Sequence, residues 1–209
     1  MEPGGPEPRS RVRRRAYWIA VATAIMVGCL TYLLVPQLVW VWKSVQQMNA
    51  ATATAAALIG QPKADWQTTD LDGATHALAD YRGQVVLLDF WFSACGWCQR
   101  ATPQIVALAE EFKDQPVVVL GVNSDEAPDD ARRMINDLGI TYLTLKDQQD
   151  GTPIHQLYKI TMWPAMVVLD REGVVRHVHC GYWPSLQSEL SGKIRELIEQ
   201  PSATFAAGQ

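Results

Sequence analysis

Residues 85–103, VVLLDFWFSACGWCQRATP, decide the fold. Val85 to Phe92 is an apolar run broken only by Asp89, with Gly83 shortly before it and small residues after it. A run of that length bounded in that way predicts a buried strand. It ends at Cys95-Gly96-Trp97-Cys98, and a helical pattern starts at once, with Ile105, Leu108, Ala109 and Phe112 recurring at i, i+3, i+4 and i+7. Two cysteines therefore sit where a strand hands over to a helix N-terminus. Unpaired N–H groups and the positive end of the helix dipole gather there. That field favours a thiolate over a thiol and makes the first cysteine a nucleophile near neutral pH. The second, three residues on, is within reach to close a disulfide.

Asp89-Phe90-Trp91, Cys95-Gly96-Trp97-Cys98 and Pro103 together resemble the thioredoxin superfamily, and within it the membrane-anchored, extracytoplasmic TlpA/ResA/CcmG-like thiol–disulfide oxidoreductases. The resemblance extends over roughly residues 60–199. It draws on Asp70-Leu71-Asp72-Gly73, Tyr81-Arg82-Gly83, Tyr158-Lys159-Ile160, and Trp163-Pro164 followed by Val167-Val168-Leu169-Asp170 and Gly173. A lone CxxC is a weak signal because zinc sites use it too. Here it lies between a strand and a helix, with an X-Pro before a later strand, and no second CxxC offers zinc its other ligand pair.

The N-terminus is of another character. Ala16 to Trp42 is 27 residues without a formal charge. A bilayer core needs about 20, whereas the apolar part of a cleaved signal peptide is only about 7–15 residues. An uncleaved anchor is the better reading, and small residues around Ala50 to Ala57 offer a cleavage site as the alternative. Arg9, Arg11, Arg13, Arg14 and Arg15 precede the span and only Lys43 closely follows it, so the positive-inside bias puts the N-terminus in the cytoplasm and the rest outside. The expected organisation is a basic cytoplasmic segment over 1–15, a transmembrane anchor over 16–42, a linker over 43–60, a thioredoxin-like domain over 61–200 and a tail over 201–209. The expected location is the inner (cytoplasmic) membrane, with the C-terminal domain on the periplasmic side.

Residues 1–42 hold five Arg and two Glu, which leaves 13 basic against 20 acidic residues in the remainder, a net charge of −7. Such a domain is poorly suited to nucleic acid or an anionic membrane surface. Proteins are the expected partners. Of the four cysteines, Cys29 lies in the apolar span and Cys180 ends an apparent strand, so only Cys95 and Cys98 are placed for chemistry.

Along the chain, 64–77 reads as a hairpin turning at Asp72-Gly73. Val117 to Val122 is a second apolar strand, Asp125 to Asp130 carries helix-start signals with Pro128 near the first turn, the helix runs to about Leu138 and stops at Gly139, and 142–145 is a short strand. A loop and short helix follow over 151–158. Then come a hairpin of 165–169 with 174–178, and an amphipathic helix through Leu186, Leu190, Ile194, Leu197 and Ile198. This order gives an α/β, thioredoxin-like fold: a mixed central sheet flanked by helices, with an N-terminal hairpin extension and a preceding membrane helix.

The resemblance implies that Cys95 attacks and the more buried Cys98 resolves. Asp89, a carboxylate inside an apolar strand, should have its pKa raised by desolvation and can serve as general base toward Cys98. ResA-like proteins carry a Glu three residues after the second cysteine, where this chain has Ala101, so the base is thioredoxin-like. Pro164 matches the superfamily's cis-proline, which faces the CxxC and offers backbone to an extended substrate. Trp97 and Trp163 would flank the sulfur as a docking surface for substrate protein; the alternative is that one of them, Trp163 before Trp97, tucks under its loop as packing. No metal or organic cofactor is expected beyond the redox-active pair, and an upstream membrane or soluble redox donor is implied.

Reduction is favoured over oxidation because the relatives reduce, for example in cytochrome c maturation. The Gly-Trp dipeptide matches neither the usual reductase Gly-Pro nor the oxidase Pro-His. His177, His179 and Cys180 raise a second reading, a copper-handling metallochaperone like the Sco proteins, but those space their cysteines CxxxC. The alternative to metal is two surface histidines beside a buried cysteine. A partner-binding module with an incidental CxxC is a third reading. Peroxidase chemistry of the peroxiredoxin kind needs Thr three residues before the cysteine, and Phe92 stands there.

Overall fold

The computed structural model describes residues 8–63, 65–147 and 152–200. Residues 1–7, 64, 148–151 and 201–209 lie outside the described residues. The chain divides into two compact units, Met1–Gln47 and Met48–Gln209.

Helix α1, Pro8–Ala56, begins in the first unit and carries the apolar span, with Pro36 inside it. Ile19, Ile25, Met26, Leu30, Leu33 and Leu38 are all exposed along it. A helix apolar on every side that buries none of those side chains within the chain is suited to lipid rather than to water. The stretch over 43–60, read as a tether with part helix as an option, is helical as far as Ala56, and in the second unit Ala51, Ala55 and Leu58 are buried. Small residues gave this stretch no legible stripe, yet their size suits close packing.

In the second unit, β1 (Gln67–Thr69) and β2 (Thr75–Ala77) form an antiparallel hairpin. Its turn is closed by Asp70, whose Oδ1 accepts from the N–H groups of Asp72 and Ala74, and by Gly73 at φ 90°. The central sheet contains β3 (Val85–Trp91), β4 (Val117–Asn123), β5 (Leu143–Lys146), β6 (Ala165–Leu169) and β7 (Val175–Cys180). Their order is β5-β4-β3-β6-β7. β4 runs parallel to β3 and β5, whereas β6 is antiparallel to β3 and β7. The strand with the CxxC at its end is thus the middle one, and all seven of its residues are buried.

The pleat of β3 divides the core. Val85 and Leu87 pack with Met166 and Val168 against α2 (Gly96–Glu111) and α5 (Leu186–Glu199). Val86, Leu88 and Phe90 face the opposite layer, which includes Ala55, Leu58, Trp66, Leu78, Ile154 and Tyr158. A third cluster joins Trp91, Cys95 and Cys98 to Ala131 and Met134 of α3 (Pro128–Leu138) and to Ile140. Helix α3 ends at Gly139, whose φ of 64° suits a residue without Cβ. A short α4 (Ile154–Leu157) precedes β6. The mixed sheet with helices on both faces is the architecture that the sequence order predicts.

Candidate active site

The site is built at the C-terminal end of β3. Cys95 is the N-cap of α2, with φ −83° and ψ 100°, and its Sγ accepts from the backbone N–H of Cys98 at 3.1 Å. The sulfur thus occupies the capping position, where a side-chain acceptor answers an otherwise unpaired helix N–H. Cys95 and Cys98 are joined as a disulfide, with Cα atoms 5.2 Å apart. Cys95 retains 7 % exposure against 1 % for Cys98. The order of accessibility is as expected, but even the outer cysteine is largely covered in the oxidised state.

The loop between strand and helix is braced from β4. Both carboxylate oxygens of Asp125 accept from the Ser93 N–H, Oδ1 also accepts from the Ser93 hydroxyl, and Oδ2 accepts from the Asn123 amide. Gln99 Nε2 donates to the Ser93 carbonyl at 2.8 Å. Pro103 lies inside α2, and the Trp163–Pro164 peptide bond is cis.

Asp89 is 2 % exposed, on the central strand, which rules out an edge position facing solvent. Burial pushes its carboxyl up to about 7, and the hydrogen bond from the Tyr142 hydroxyl to Oδ2, 2.8 Å, opposes that rise. Burial, and then the Asp89 charge, raise the Tyr142 phenol well above its ordinary value, so it stays a neutral donor. Directly across from Asp89 in the parallel register is Gly121. A Cβ there would come within 2.8 Å of Trp91 Nε1, 3.1 Å of Thr144 Oγ1 and 3.2 Å of the Tyr142 ring. The missing side chain is what lets these groups converge beside the carboxyl.

The two tryptophans have different surroundings. Trp97 is 56 % exposed, stacks on Tyr182 with centroids 5.9 Å apart and planes at 21°, and lies under the Arg100 guanidinium at 4.7 Å. Trp163 is half-buried, edge-to-face with Phe92 at 6.0 Å and tilted against His155 at 5.5 Å, and its indole nitrogen is buried without a partner. Trp97 is the more open of the two, beside the Cys95–Cys98 pair in sequence. Trp163 has the geometry of packing beneath the Pro164 loop.

His177 and His179 are not the surface pair that the metal-free reading expected. His179 is 8 % exposed and His177 half-buried, and both hydrogen-bond Glu189 Oε1, at 3.1 and 3.0 Å. Cys180 pairs across from Ala165 and belongs to the opposite core layer. Burial pushes its thiol up, so it is a poor thiolate. Among the described residues, the group of three side chains able to hold a metal contains neither Cys95 nor Cys98.

Residues 59–178 match the AhpC/TSA family. The chain belongs to that family. ResA, a thiol–disulfide oxidoreductase of Geobacillus kaustophilus, is 32 % identical over 133 residues, covering 64 % of this chain and 75 % of its own. The thioredoxin-like protein YneN of Bacillus subtilis is 30 % identical over 123 residues, covering 58 % and 71 %. Among solved structures, a protein described as thiol:disulfide interchange protein DsbE from Chlorobium tepidum superimposes with a TM-score of 0.60 at 28 % identity, covering 66 % of this chain and 96 % of that one. Within the AhpC/TSA family this chain is a thioredoxin-fold thiol–disulfide oxidoreductase with a Cys95–Cys98 pair.

Tyr142, Tyr182, Arg100 and Asp125 escaped the sequence reading. Each acts through a contact that spacing does not display: Tyr142 and Asp89 are 53 residues apart. For Asp125 a signal existed, because a carboxylate just after the second apolar strand falls beside the end of the first in a parallel pair.

Proposed function

We propose that this chain is a membrane-tethered reductase of protein disulfides, its catalytic domain on the extracytoplasmic side. The observation that carries the reading is Cys95 at the N-cap of α2, its sulfur receiving the Cys98 N–H, with the buried carboxyl of Asp89 on the strand behind it. In the reduced enzyme the Cys95 thiolate attacks a substrate disulfide, forming one S–S bond and releasing the first substrate sulfur as a thiolate that takes a proton from solvent. The Asp89 carboxylate accepts the Cys98 proton, and the Cys98 thiolate displaces the second substrate sulfur from Cys95. The substrate leaves reduced by two electrons, and the enzyme is left with the Cys95–Cys98 disulfide. An upstream dithiol donor must return it to the reduced state.

Tethering is supported by the apolar span and the arginines before it. A buried base that takes the Cys98 proton speeds release of reduced substrate, which is the step a reductase repeats. The chemistry needs no metal or organic cofactor, and the role in cytochrome c maturation that the ResA resemblance implies is one setting for it. The full chain in detergent should reduce insulin disulfides in the presence of a dithiol, and Cys95→Ser should abolish this. A Cys95–Cys98 potential near the thioredoxin value of about −270 mV supports reduction, whereas one near about −120 mV reverses the direction.

A further inference from the structure

We propose that His177, His179 and Glu189 form a binding site for a divalent transition-metal ion of the zinc or copper(II) class, separate from the thiol centre. His177 and His179 are two apart on β7 and so share one face. Their cross-strand partners Val168 and Met166 place that face under α5. Glu189 comes down from the first turn of α5 and meets both rings at one oxygen, 3.0 Å from His177 Nε2 and 3.1 Å from His179 Nδ1. The three donor atoms lie within 4.8 Å of one another. A tetrahedral ion with bonds of about 2.0–2.1 Å sets its donors about 3.3 Å apart, so small side-chain movements suffice.

The donor types suit the ion. Two imidazoles and one carboxylate are borderline ligands that select zinc or copper(II) over calcium or magnesium. Glu189 and His177 remain partly exposed, giving the ion a path in and leaving coordination positions for water. Alternation turns Cys180 to the other face, so the site takes no thiolate. A bound ion would fasten the edge strand β7 to α5, just before the segment that brings Tyr182 onto Trp97.

The test uses the full chain in detergent, without a polyhistidine tag, with Cys95–Cys98 oxidised so that this pair offers no ligand. Zinc is titrated in competition with a chromophoric chelator, and copper(II) is followed by electron paramagnetic resonance. One zinc per chain should bind at micromolar concentration or below. His177→Ala and Glu189→Gln should each weaken binding by roughly tenfold or more, and Cys180→Ser should not. These two ligands are partly exposed, so the test does not depend on replacing buried His179. The copper(II) spectrum should show coupling to two nitrogens, reduced to one in His177→Ala. Zinc affinity indifferent to His177→Ala and Glu189→Gln, absence of binding at micromolar zinc, or a copper(II) spectrum without two-nitrogen coupling would overturn the site.

Discussion

Asp89 carries the chemistry that is hardest to place, because burial inside a strand penalises the charged form of a carboxyl. Its folded pKa of about 7 compares with an unfolded value near the ordinary 3.8. Between those two pH values the folded chain keeps the proton and the unfolded chain has lost it. Stability therefore falls as pH rises through that window, by up to about 4 kcal/mol once pH exceeds 7. Urea unfolding of the oxidised protein at pH 5 and pH 8 should show about 3 kcal/mol of this loss, and Asp89→Asn should remove most of it. The same substitution should leave attack by Cys95 nearly intact while slowing resolution, so that mixed disulfides persist in stopped-flow or quench assays. A variant with unchanged pH dependence and unchanged intermediate lifetime would reduce Asp89 to packing.

At the scale of elements, the junction of β3 with α2 does two things: it activates one sulfur and presents one indole. In the reduced protein, Cys95 should react with iodoacetamide at neutral pH at least tenfold faster than Cys98 or Cys180, since it alone combines the N-cap field with access. Equal labelling of Cys95 and Cys98 by mass spectrometry would contradict this. Trp97, held between Tyr182 and Arg100 but still exposed, should dock the partner. Trp97→Ala should weaken capture of a native protein partner by about 2 kcal/mol, while reaction with a small aromatic disulfide barely changes. Parallel losses in both assays would mean that the indole tunes the sulfur instead. This junction was legible in the sequence because its determinants are local: an apolar run, small residues, then a 3.6-residue period. The apolar run also predicted the burial of Asp89. The hydroxyl that meets Asp89, the ring that meets Trp97 and the carboxylate that meets the two histidines were not legible. Those contacts depend on register and on how helices lie across the sheet, and no single segment encodes either. The sequence singled out Trp163 as the tryptophan more prone to tuck under its loop, but not the rings of Phe92 and His155 that enclose it from distant parts of the chain.

At the scale of the whole molecule, one N-terminal helix is long and apolar enough to cross a membrane, and the proposed topology, with the thiol centre on the extracytoplasmic side, rests on that span and the arginines before it. Attack by one cysteine and resolution by another makes a definite demand on the intact chain: removing the resolving thiol must strand the partner on the attacking one. Cys98→Ser, expressed full length and quenched in acid before alkylation, tests this most directly. The account predicts covalent adducts with extracytoplasmic proteins that dithiothreitol releases and peptide mapping places on Cys95, and that disappear in Cys95→Ser/Cys98→Ser. No adducts, or adducts that map to Cys180 or to cytoplasmic proteins, would contradict it.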